Sequence, residues 1–117
     1  MVFTGFVEDD ELHSLYHGAR ATWFPSRYEG FGMPVLEAMA AGSPVVASKT
    51  TSIPEVAGDA AVLVDPHSVA ENVDALEAIL DDTAHRDRLI SLGKIQAQKF
   101  TWDASAEQLH ALYSSLL

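Results

Sequence analysis

The chain has 117 residues, of which 17 are acidic and 7 basic, with a formal net charge of −10 and no cysteine. That length holds one domain with one core, burying roughly two-thirds of the unfolded surface, and leaves no room for a two-domain enzyme. The charge disfavours nucleic acid and anionic membranes as partners, since phosphate backbones are bound by Lys and Arg clusters and the few basic residues here are scattered; without cysteine, disulfides are excluded but no compartment is fixed.

Taken in order, apolar residues 2–6 form a short expected strand, followed by a helix over 9–18 with Leu12, Leu15 and Tyr16 inward. Asp9, Asp10 and Glu11 at its start suit capping and the helix dipole rather than a divalent ion. His13 and His17 share one helical face, but no third ligand accompanies them and no His-Glu-x-x-His is present, so they read as surface histidines and no metal site is expected. Residues 21–24 form a strand and 33–41 a helix that Gly42 stops; strands at 44–47 and 61–64 enclose a short helix at 53–57. Apolar runs separated by helices predict an α/β fold with a parallel sheet of about four strands and helices on both faces.

After Asp65-Pro66 only helices are expected. Ser68-Val69-Ala70-Glu71 is a capping box, with Val69, Val73, Leu76 and Leu80 following at helical spacing. Helices over about 84–99 and about 103–116 complete the chain, the last with Ala106, Leu109, Tyr113 and Leu116 in one stripe. Phe100 and Trp102 just before it read as a hydrophobic anchor. The start runs into an apolar strand with no basic leader or cleavage site, and no apolar run approaches about 18 residues; a soluble, cytoplasmic protein is the expectation.

The chemistry is concentrated in residues 25–42. Glu29 and Glu37, with seven residues between them, flank a Gly30-Phe31-Gly32 turn that opens a helix. The two glycines let the backbone take positive φ and approach a ligand closely, and Pro34 suits the first turn, where its missing N–H costs nothing. A helix beginning near Met33 then offers free N–H groups and the positive end of its dipole to an anion. The glutamates are acceptors for hydroxyls. A ligand that suits both is polyhydroxylated and carries phosphate, as a nucleotide sugar does. The plain alternative is a solvated loop carboxylate at Glu29 and a dipole-favoured acid at Glu37. No GxGxxG or GxxxxGK[ST] loop is present, and no Ser-His-Asp set has motif support.

This segment resembles the retaining glycosyltransferases of family 4, which have the GT-B fold. Flanking motifs agree in order: Val2-Phe3-Thr4-Gly5-Phe6-Val7, Pro25-Ser26, Pro44-Val45-Val46-Ala47-Ser48, and Ile53-Pro54-Glu55-Val56-Ala57-Gly58-Asp59 running on to Asp65-Pro66. The resemblance implies that residues 1–117 are part of a Rossmann-like GT-B C-terminal domain that binds a nucleotide diphosphate sugar, with no metal and no other cofactor. Glu29 would hold the sugar hydroxyls and steady the oxocarbenium-like state. Gly30, Phe31, Gly32 and Met33 would cradle sugar and diphosphate oxygens, and Glu37 would take the ribose hydroxyls.

Two departures accompany the likeness. Thr51-Ser52 stands where many members have Gly-Gly before Ile-Pro-Glu, a polar variant that occurs in some mannosyltransferase-like members and leaves the donor sugar open. The family's phosphate-binding Arg and Lys, and its acceptor domain, lie upstream of the first strand. The implied role is therefore the donor-binding portion of a transferase moving a hexosyl or mannosyl group, inactive in isolation; the alternative is a non-catalytic nucleotide-sugar-binding or structural module. A flavodoxin-like signalling domain would need an acidic phosphoacceptor at a strand end, and the three C-terminal helices argue against it.

In the family's sheet order, 3-2-1-4-5-6, residues 2–6 correspond to strand 3 and 21–24 to strand 4, with nothing here for strands 1 and 2. The expectation is that 2–6 closes up beside 21–24 through a right-handed crossover, that part of the final helix's stripe is exposed, and that open edges favour self-association.

Overall fold

The computed structural model describes residues 1–117. Three parallel strands, β1 (Thr22–Phe24), β2 (Val45–Ser48) and β3 (Ala61–Val64), lie in the order β1-β2-β3. Val45 is in register with Thr22 on one side and Ala61 on the other. Central β2 is wholly buried, as a strand covered on both faces must be.

Helices α1 (Asp9–Gly18), α2 (Met33–Ala40) and α3 (Ile53–Ala57), then α4 (Val69–Asp81), α5 (Thr83–Gln98) and α6 (Trp102–Ser115), complete the fold. Val45 and Ala47 point to one face of the sheet, where they join Val35, Ala38, Met39, Ile53 and Ala57. Val46 points to the other, against Val64, Ala75, Ile79 and Leu89. Helix α5 serves both layers, its Leu89 in the second and Leu92 and Ala97 against the first. A Cβ on Gly93 would stand 3.2 Å from Met39 Cγ, so α2 and α5 meet at a point where only a bare backbone fits well.

Helix α2 ends as its sequence dictates. Gly42 takes φ +83°, its N–H donates to the Met39 carbonyl, and the Ser43 N–H reaches back to Ala38 at 2.9 Å, which is the Schellman pattern. At α4 the Ser68 hydroxyl accepts from the Glu71 N–H, while the Glu71 carboxylate accepts from the Asp65 N–H at 2.8 Å. That bond, and then Lys49 at 3.3 Å, hold the Glu71 carboxyl below its ordinary pKa.

Three expectations need correction. The sheet has three strands, because residues 2–6 are exposed and pair with nothing. A strand exists only against a neighbour, and the segment stays clear of β1 instead of closing up beside it. Helix α4 buries Asn72, Ala75 and Ile79, whereas Val69, Val73 and Leu80 are exposed. The face is set by Asn72, whose amide donates to the Asp65 and Ser68 carbonyls and whose Oδ1 accepts from the Trp23 indole at 2.7 Å. In α1 nothing is fully buried and Leu15 is exposed; Tyr16 and Leu12 are half-buried, and the His17 ring bonds the Ala41 carbonyl. The first-turn acids of α1 face the dipole, but its N-cap, Glu8, makes no side-chain cap.

Helix α6 has no buried residue at all, so Leu109, Leu112 and Tyr113, with Leu116 just past its end, form an uncovered apolar stripe. No helix is long and apolar enough to cross a membrane.

Candidate ligand-binding site

The loop after β1 delivers Glu29 to the carboxyl end of the sheet, where α/β folds open their crevices. Gly32 is the N-cap of α2 at φ 101°, ψ 43°, a left-handed conformation natural only to glycine, and its carbonyl accepts from the Val35 N–H. Its neighbour differs. Gly30 does not have positive φ, and a Cβ there would meet nothing within 4 Å. The expectation that both glycines serve positive φ therefore holds at Gly32 alone.

Glu29 is half-buried and held at both ends. The Ser26 hydroxyl donates to its carboxylate at 2.8 Å. Its N–H donates to Thr51 Oγ1 at 3.1 Å, and its carbonyl accepts from Ser52 Oγ at 2.9 Å. The same Ser52 hydroxyl lies 3.0 Å from the Phe31 carbonyl. The N–H groups of Gly30, Phe31 and Gly32 find no acceptor within the chain. Thr51 and Ser52, singled out in the sequence only as a departure, thus reach across to the loop that bears Glu29. Nothing local signals this, since the partners are 21 to 23 residues apart.

Because α2 buries Val35, Leu36, Ala38 and Met39, Glu37 falls on its exposed side. There it lines a cleft of about 540 Å³ with Phe31, Met33, Phe100, Trp102 and Gln108. The Phe31 and Phe100 rings pack edge to face with centroids 5.8 Å apart, so the loop is braced by the segment leading into α6. Phe31, Met33 and Glu37 share this cleft; Glu29, Gly30 and Gly32 are not part of its lining. On its other side Glu37 neighbours Tyr16, whose phenol is pushed above its ordinary pKa by burial first and by the Glu37 charge second. No three His, Asp or Glu side chains converge as a metal-binding group.

The expected site residues thus fall into two groups joined by Phe31: Glu29 with the unpaired backbone donors of residues 30–32 on the loop, and Glu37 with Phe31 and Met33 in the aromatic-walled cleft. Comparison with known proteins gives this arrangement a context. The profile of the family described as glycosyl transferases group 1 matches residues 1–96. The chain is 43% identical over 115 residues to the O-antigen chain mannosyltransferase B of Escherichia coli, a match covering 97% of this chain and 30% of that protein. It is 38% identical over 115 residues to the MMP alpha-(1->4)-mannosyltransferase of Mycolicibacterium hassiacum, covering 95% of this chain and 28% of that one. Among solved structures, sucrose-phosphate synthase from Thermosynechococcus elongatus superposes with a TM-score of 0.85 at 33% identity, over 98% of this chain and 30% of its own. The chain thus spans less than a third of each of these relatives.

Proposed function

This chain belongs to the glycosyl transferases group 1 family, and from that premise we propose that residues 1–117 are the donor-binding part of a retaining GT-B glycosyltransferase. The donor is a nucleoside diphosphate sugar, and the mannosyltransferase names of two relatives favour a mannosyl group. The carrying observation is the polarity of the loop: Gly30, Phe31 and Gly32 leave their N–H groups free while the carbonyls of Glu29 and Phe31 are taken up by Ser52.

In this reading the donors at 30–32, with the opening of α2, receive sugar and diphosphate oxygens as negative charge grows on the leaving group. Fixed donors in a cleft that excludes water stabilise such charge strongly. Glu29 orients the sugar by its hydroxyls and steadies the positive charge that develops at the anomeric carbon. Glu37 takes the ribose hydroxyls, and no metal is required. The phosphate-binding cations and the acceptor surface come from the rest of the transferase, which packs on the open edge of β1 and on the uncovered stripe of α6.

Gly30 supplies the test. The fold has no steric need of a glycine there, yet it lies beside Glu29 where a ligand would come close. In a full-length transferase carrying this segment, Gly30→Ala should leave stability within about 0.5 kcal/mol, as a free surface position does, and weaken donor affinity by about tenfold or more, since the methyl group fills ligand space. Gly32→Ala, at φ 101°, should instead cost stability, about 1–2 kcal/mol for a left-handed non-glycine residue. Unchanged donor affinity in Gly30→Ala, measured by titration calorimetry, would count against a ligand at this turn.

A further inference from the structure

We infer that Thr51 and Ser52 are positioning residues that turn the Glu29 loop into a donor cradle, an inference that rests on the reading of the site just given. Ser52 occupies the N-cap of α3, where a serine ordinarily accepts from an N–H of the first turn. Here its hydroxyl makes no such cap and is directed instead to the carbonyls of Glu29 and Phe31, at 2.9 and 3.0 Å.

The consequence follows from peptide geometry. Every peptide bond in the chain is trans, so each N–H points opposite to the carbonyl of the same peptide unit. With the carbonyls of Glu29 and Phe31 drawn in to Ser52, the N–H groups of Gly30 and Gly32 are aimed the other way, and both are without an acceptor in the chain. Free backbone N–H groups gathered at a turn are the elements of an anion site; that of Gly30 is on an exposed residue, that of Gly32 on a buried one. One hydroxyl thereby sets the polarity of the turn.

Thr51 fixes the other end. It accepts from the Glu29 N–H at 3.1 Å while standing at φ +56°, the one non-glycine residue of the chain with positive φ. A β-branched residue is rarely tolerated there, and such strain persists only where the surroundings over-determine it. Glycine would relieve the strain but lacks the acceptor. Together with Ser26 on the carboxylate, Thr51 and Ser52 hold the Glu29 backbone and side chain in one pose.

The test has two readouts. Amide exchange of Glu29 in the 117-residue chain reports the tie directly: Thr51→Val should speed exchange of that amide by roughly fivefold to tenfold, while Thr51→Ser should leave it within about twofold. In the full-length transferase, Thr51→Val and Ser52→Ala should lower kcat about fivefold to tenfold, with the serine variant of Thr51 restoring it. Ser52→Ala should in addition raise the donor KM, because it frees the carbonyls that orient the cradle. Unchanged Glu29 exchange in Thr51→Val would overturn the tie itself. Faster exchange with unaltered kcat and KM in both variants, in an enzyme where Glu29→Gln is impaired, would overturn the positioning role. If Glu29→Gln is as active as the parent, the site reading fails and the positioning role falls with it; the exchange result separates that failure from a failed tie.

Discussion

Glu29→Gln should lower kcat of a full-length transferase carrying this segment by about 10²-fold, the scale of losing one preorganised electrostatic group at a reacting centre. Glutamine keeps the size of glutamate and a carbonyl that can still accept from Ser26, so the loop should hold its shape and the loss should be chemical. On the proposed role, the substitution removes a negative charge that would face the anomeric carbon as it becomes positive, an interaction stronger in the transition state than with bound donor. KM for the donor should change far less than kcat. Glu37→Gln should show the opposite balance. Its carboxylate is exposed on α2 within the aromatic-walled cleft and is assigned to the ribose hydroxyls. Loss of a charge-assisted hydrogen bond there should weaken nucleotide binding by about 1.5–3 kcal/mol with kcat nearly preserved. Steady-state kinetics on both variants check the assignment, and an unchanged kcat in Glu29→Gln would show that the roles are wrong.

Met39→Ala should cost about 2–5 kcal/mol of stability, the range for truncating a large side chain in a packed core. Met39 is 1% exposed and sits where α2 meets Gly93 of α5, so no mobile surface can collapse into the gap. Only 22 of the 117 residues are buried, which leaves a small core to spread such a loss over. Against a typical domain stability of about 5–15 kcal/mol the variant should unfold at markedly lower denaturant. Urea unfolding followed by circular dichroism measures it, and a midpoint equal to the parent's would mean that the contact between α2 and α5 does not organise the core.

How much of this was legible in the sequence depended on whether the signal was local. The opening of α2 was, because Gly32 and Pro34 have no other good use in that order, and so was its end, where Gly42 and the following residues make the Schellman bonds. The apolar run at 44–47 marks a strand through composition alone, though its central place in the sheet comes from the pairing on both sides. Residues 2–6 carry Val2, Phe3 and Phe6, interrupted by Thr4 and by Gly5 at φ +66°, and strand formation needs a partner that a segment cannot supply for itself. The face that α4 buries is hidden for a related reason. Val69, Val73, Leu76 and Leu80 mark a helical stripe by spacing, yet Asn72 is buried because Trp23 and two carbonyls satisfy its amide, and those partners are distant or on the backbone.

In the candidate site the same division holds. Glu29, Gly32 and Glu37 were marked by spacing around a turn. Thr51 and Ser52 were noticed only as a break in a familiar pattern; that their hydroxyls grip the Glu29 loop depends on β1 and β2 lying side by side, which brings the two following loops together. The pairing of Phe31 with Phe100 is likewise hidden, since the sequence marks Phe100 only as an anchor for α6.

The most direct test of the account is the crystal structure of a full-length transferase carrying this segment with a nucleoside diphosphate sugar bound. The predicted result places the sugar hydroxyls on the Glu29 carboxylate, the diphosphate oxygens on the N–H groups of Gly30 to Gly32, and the ribose hydroxyls on Glu37. A donor bound away from this turn, with Glu29 facing only Ser26 and solvent, would contradict it.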